Sequence, residues 1–140
     1  NYPGTGLIEF IGGFSPGNSP GAVSFGGDVV LGATATTLME LAGVTDGDYD
    51  QLQVAGILEV GGDLEVELLD GFVPAAETDF QIFDAGTLSG TFSAVLLPDL
   101  PGMLGWDSSH LYRTGTLSVI PEPATLSLLA LGMLLAWRRR

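Results

Sequence analysis

Residues 52–68 read Leu52-Gln53-Val54-Ala55-Gly56-Ile57-Leu58-Glu59-Val60-Gly61-Gly62-Asp63-Leu64-Glu65-Val66-Glu67-Leu68. The even positions are apolar or Gly, while the odd ones carry Gln53, Glu59, Asp63, Glu65 and Glu67. A period of two sustained this long predicts β-structure with one dry face and one acidic, wet face. A six-residue repeat lies inside it: Leu52-Gln-Val54, Leu58-Glu-Val60, Leu64-Glu-Val66. Gly56 and Gly62 mark where the chain can bend without a side chain in the way. Short strands between Gly corners suit a Gly-rich β-solenoid whose turns stack on one another. A bent hairpin in an antiparallel β-sandwich fits the same pattern.

Outward from this stretch the chain stays β-rich. Leu7–Ile11, Ala22–Phe25, Asp28–Leu31 and Thr34–Leu41 read as strands; the Thr content of the last favours strand over helix. Between them, Ser15-Pro16-Gly17 and Ser19-Pro20-Gly21 form a double turn, since Pro presets the first turn position and Gly accepts the positive φ after it. These glycines are not a phosphate cradle, as no Lys and no helix follow. Strand patterns restart at Asp79–Phe83 and Gly90–Val95 and end at Leu117–Val119. Trp106, Leu111 and Tyr112 supply bulk to close an apolar end.

The last twenty residues break the pattern. Pro121-Glu122-Pro123 leads into the uncharged run Ala124–Trp137, and Arg138, Arg139 and Arg140 follow. As a helix this run would be roughly 21 Å long against a ~30 Å hydrocarbon core. Its flanks favour a bilayer. Arg on the cytoplasmic side resists translocation, and Trp137 stands where an interfacial aromatic belongs. The expected division is therefore a β-rich extracytoplasmic domain, 1–119, and a tail, 120–140, with a short transmembrane helix and an Arg stop.

Composition sharpens the contrast. The chain has 140 residues, no Cys, 17 acids and 4 Lys or Arg. Glu122 and three Arg belong to the tail, so the rest carries 16 acids against Arg113 alone, a net charge near −15. Such a surface repels nucleic acid and anionic lipid. Without Cys there is no disulfide or thiolate metal site. Asn1 opens the chain with no charged-then-apolar leader, so an exported form would have lost its signal peptide.

Chemistry-bearing clusters are few. Asp46, Asp48 and Asp50 alternate as at the start of a calcium loop, but the sixth and twelfth positions are Gln51 and Ile57, which rules out an EF-hand. A weak, irregular Ca²⁺ site is what remains; no other cofactor is expected. His110 is the single histidine, and its neighbours Asp107, Ser108 and Ser109 are too close in sequence to be a triad assembled by the fold. Acids abound for glycoside cleavage, but only Arg113 could meet a substrate carboxylate. The expectation is that the protein is not an enzyme.

The order Pro121-Glu122-Pro123, apolar run, Arg138–Arg140 resembles the C-terminal sorting tail of bacterial PEP-CTERM proteins. The resemblance implies a protein held in the inner membrane and recognised at Pro121, Glu122 and Pro123 by exosortase, a membrane protease-transpeptidase. Its apolar run is at the short end for that family. Ser-Pro-Gly-Asn-Ser-Pro-Gly, residues 49–56 and Gly115–Val119 are also similar to β-helical passenger segments of autotransporter-like surface proteins, which implies a right-handed parallel β-helix. Together the resemblances imply a structural or adhesive protein of the cell surface or biofilm matrix. Its partners would be exosortase, the lipid bilayer and exopolysaccharide. The alternatives are a polysaccharide- or calcium-binding module and, behind it, a polysaccharide-acting enzyme. Two prolines should also keep the motif extended and unpaired, open to an enzyme.

Overall fold

A computed structural model of the chain describes residues 1–16 and 20–122. The centre of the Ser-Pro-Gly double turn, the apolar run, Pro123, Trp137 and Arg138–Arg140 lie outside the described residues.

The alternating stretch forms two strands, β6 (Gln51–Val60) and β7 (Asp63–Leu68). Leu52, Val54, Leu58, Val60, Leu64 and Val66 are buried as the parity requires. β6 bends at Gly56, where a Cβ would run into the Asp28 carboxylate and the Gly27 carbonyl. Asp28 Oδ1 there accepts the Ile57 N–H at 2.8 Å. The turn into β7 rests on Gly62, whose φ is +65° and whose missing Cβ leaves room for the Ala35 carbonyl oxygen. The six-residue repeat thus runs along a single pass of the chain, two copies on β6 and one on β7.

Other passes stack on this one. Before it come β1 (Leu7–Phe10) and β2 (Gly13–Phe14), then β3 (Ala22–Phe25), β4 (Asp28–Leu31) and β5 (Thr36–Leu41). After it come β8 (Thr78–Gln81), β9 (Phe83–Gly90) and β10 (Ala94–Leu96). The order β1-β4-β6-β3, with β9 also on β6, makes one sheet; β10-β7-β5-β2 makes another. All pairing in these two sheets is parallel. The sandwich alternative called for antiparallel pairing there.

Register puts like on like. Ile8, Val29, Leu58 and Leu88 stand in one inward column, and Val23, Leu52 and Phe83 in another. Ser24, Gln53 and Asp84 stack outward, as do Glu40 and Glu67. Burying such columns is the main favourable term, worth about 1.5–3 kcal/mol for each fully buried aliphatic or aromatic side chain. These ladders establish a mostly β body of parallel sheets; they do not by themselves close into a right-handed coil.

A third sheet follows, antiparallel, in the order β11 (Leu104–Asp107), β12 (Thr116–Pro121), β8. Phe80 on β8 gathers Tyr49, Phe72 and Trp106 at ring distances of 5.3, 6.2 and 6.3 Å. The short helix α1 (Leu111–Thr114) packs on β9, burying Leu111. Its Tyr112 hydroxyl accepts the Phe92 N–H at 3.2 Å.

Candidate functional site

The third sheet ends at the start of the tail. Thr116-Leu-Ser-Val-Ile alternates, and it buries Leu117 and Val119 completely. The outward Ser118 hydroxyl donates to Asp79 Oδ1 at 2.6 Å. β8 covers one edge of β12 only as far as Val119, which pairs with Thr78. β11 continues on the other edge to Leu104, which pairs with Pro121. The Glu122 N–H then donates to the Met103 carbonyl at 2.6 Å.

This geometry explains how a proline ends the strand. Antiparallel pairs alternate between hydrogen-bonded and non-hydrogen-bonded, and the Glu122–Met103 bond puts Pro121 in a non-hydrogen-bonded pair with Leu104. An N–H at Pro121 would have faced away from β11, beyond the end of β8, so its absence leaves no ladder bond unmade. The expectation that the prolines keep the motif unpaired is therefore corrected. Pro121 closes β12 and Glu122 is tied to the β11 side, while both residues stay solvent-exposed. The strand also runs past residue 120, where the tail is expected to begin.

The partners of the motif were not anticipated from sequence. β11 falls where the sequence suggests only bulk around Trp106. The usable signal was the Pro101-Gly102 turn followed by the Leu104-Gly105-Trp106 alternation. Trp106 Nε1 donates to the Pro98 carbonyl at 2.8 Å, which fastens the loop before β11 beside the motif.

The three aspartates do not act together. Asp50 is fully buried, and its Oδ1 and Oδ2 accept the N–H groups of Gly21 and Glu40, each at 2.8 Å. Burial raises its carboxyl above the usual range, the two backbone donors lower it, and the Glu40 charge raises it further. Asp48 accepts from the Thr45 hydroxyl. Asp46 contributes its charge to raising the Tyr49 phenol, behind the larger effect of burial. Among the described residues, no group of three or more His, Cys, Asp or Glu side chains is disposed to hold a metal ion.

The cluster beside α1 lacks triad order as well. Asp107 is held below the usual carboxylate range by the Ser109 hydroxyl and the Ser109 N–H, which lies 2.9 Å from Oδ1. Ser109 Oγ stands 3.5 Å from His110 Nδ1. The aspartate thus engages the serine, whereas a triad aspartate orients the histidine.

Among the described residues, no helix is long and apolar enough to cross a membrane. No curated protein and no solved structure matches the chain. Residues 119–140, which take in the end of β12 and the whole tail, match the PEP-CTERM protein-sorting motif, and that motif implies an exported protein processed by exosortase and destined for the cell surface.

Proposed function

We propose that the protein is a structural or adhesive component of the bacterial envelope or extracellular matrix, delivered there by its tail. The tail would arrest in the inner membrane with Arg138–Arg140 in the cytoplasm and residues before 121 outside. Exosortase would then read Pro121-Glu122-Pro123 at the outer face. One observation carries this reading: a matched sorting motif whose Glu122 side chain is solvent-exposed at the end of an ordered strand. The stacked parallel passes and the columns of like residues favour a β-solenoid body, right-handed as most parallel crossovers are. Such a body offers a repetitive surface, and no catalytic role is assigned to it.

The test is Glu122→Ala in the exporting cell. Processing should stop while export continues, so the protein accumulates outside the cytoplasm at its unprocessed size. A normal mature size in that variant contradicts the sorting assignment.

A second reading, polysaccharide binding, has one observation in its favour. A depression of about 670 Å³ runs beside the outward Ser24, Gln53 and Asp84 and the exposed Tyr2. Hydroxyl, amide and carboxylate in register beside an aromatic suit sugar hydroxyls. Retardation of the protein in exopolysaccharide-loaded native gels, lost in Gln53→Ala, is the result this reading requires.

A further inference from the structure

β12 carries the chain out of the body, and the turn before β11 stands at its exit. Leu104 pairs with Pro121, and the Glu122 N–H bonds to the Met103 carbonyl. Pro101-Gly102-Met103 is therefore the tip of the sheet beside the departing tail. Gly102 makes that tip with a φ of +69°.

The tip is apolar and open. Met103 is 59% exposed and Pro101 is exposed, while Leu100 and Leu104 behind them rest partly on the core. Between Asp99 and Asp107 no side chain carries a charge, in an otherwise acidic body. A Cβ on Gly105 would come 3.9 Å from Glu122 Cγ, so the motif's own side chain leans back along β11 rather than ahead of Met103.

The length of chain beyond the sheet says what lies ahead of the tip. Only Pro123 separates Glu122 from the apolar run 124–137. As a helix that run is about 9 Å short of the ~30 Å hydrocarbon core. With Arg138, Arg139 and Arg140 kept at the cytoplasmic face, Pro123 adds only about 3.5 Å toward the outer one. A span too short for its bilayer thins it and draws its own flanks inward. The flank drawn inward here is Glu122 together with the turn bonded to it. An apolar tip suits that position, whereas the acidic surface elsewhere is repelled by anionic lipid and costly to dehydrate.

We propose that the 100–104 turn is the seat of the body on the membrane. Pro101 and Met103 enter the boundary between headgroups and acyl chains beside the emerging tail and supply apolar length that the run lacks. The contact is additional to anchoring by the tail, but it rests on the reading that the tail inserts. It holds Pro121 and Glu122 at the membrane surface, within reach of a membrane enzyme.

The chain has no Cys, so single-cysteine variants of the 140-residue protein each take one nitrobenzoxadiazole label. Met103→Cys and Pro101→Cys report on the turn, the second in case the first disturbs it. Leu129→Cys reports on tail insertion. Leu7→Cys, 66% exposed on β1 and separated from β9 by β4 and β6, reports on the rest of the body. All are reconstituted in phosphatidylcholine vesicles with and without nitroxide-bearing phosphatidylcholine. Labels at Leu129 and at one or both turn positions should be quenched by the nitroxide lipid and emit further to the blue than the Leu7 label, which should be quenched little. Quenching at Leu129 with none at either turn position overturns the seat and leaves tail insertion standing. No quenching at Leu129 overturns both. Turn labels that are quenched yet emit as the Leu7 label does lie in water near the surface, and equal quenching at Leu7 means the body lies on lipid without preference; either result overturns the proposal.

Discussion

The Glu122 N–H reaches the Met103 carbonyl at 2.6 Å, so the middle residue of the sorting motif is fastened to a loop that precedes it by some twenty positions. Trp106 in turn fastens that loop through the Pro98 carbonyl. An enzyme that grips the motif as an extended chain has to compete with these bonds.

Trp106→Phe removes the indole donor and keeps most of the ring. It should cost about 1 kcal/mol, the net worth of one hydrogen bond. The Glu122 amide should exchange with solvent faster in the variant, and tail processing should speed up rather than slow. Unchanged exchange at Glu122 would show that the Trp106 bond does not hold the motif.

Asp50 fastens the pass that runs through β3, β4 and β5 to the start of β6 by accepting from Gly21 and Glu40, and the Asp50 N–H also donates to the Glu40 carbonyl at 2.9 Å. Asn offers one acceptor where two donors point, so Asp50→Asn leaves a buried N–H facing an NH₂ group. The expected loss is about 1–3 kcal/mol in urea denaturation.

The same residue sets part of the pH response. Burial raises the folded-state carboxyl above its unfolded value, so the folded protein binds this proton more readily than the unfolded chain. Its contribution is fully present below the unfolded value and is lost as pH rises through the folded one. Stability of the parent protein should therefore rise on acidification from neutral pH toward the carboxylate range, with a shallower rise in Asp50→Asn. Equal slopes would show that other carboxylates account for the trend.

Thr37 is fully buried in the column that links Phe14, Leu64 and Val95, and its hydroxyl has no hydrogen-bond partner among the described residues. Val has nearly the same shape without the polar atom. Thr37→Val should raise stability by about 1–2 kcal/mol, since an unpaired buried hydroxyl costs that order of energy. A lower melting temperature would mean the hydroxyl is satisfied in solution.

Gly62→Ala should be among the most damaging small changes in the body. The positive φ alone costs roughly 1–2 kcal/mol for an L-residue. The new methyl also meets the backbone carbonyl of Ala35, which cannot swing aside as a side chain would. Loss of the cooperative unfolding transition, or a drop of several degrees in its midpoint, is the expected outcome.

What the sequence made legible follows from its physics. The parity of 52–68 announces itself because one face is dry along the whole stretch, and the structure buries those residues. β3 and β4 fall where the apolar runs between Gly and Pro place them. β9 was not legible. Phe83-Asp-Ala-Gly-Thr-Leu-Ser-Gly is poor in strand formers, and it is extended because β6 pairs with it from Leu52 to Val60. Pairing of Pro121 was hidden for a similar reason: it depends on where β8 stops and β11 continues, which no local pattern records. Of the candidate cation site, the spacing of Asp46, Asp48 and Asp50 was visible, but the donors from Gly21 and Glu40 that occupy Asp50 were not.

The sorting role is tested most directly by the intact mass of the protein recovered from cells with and without exosortase. With the enzyme, the surface form should end within the motif region and lack Arg138–Arg140; without it, the full tail should remain and the protein should stay with the inner membrane. A surface form that carries all three arginines in both strains would contradict delivery by this tail.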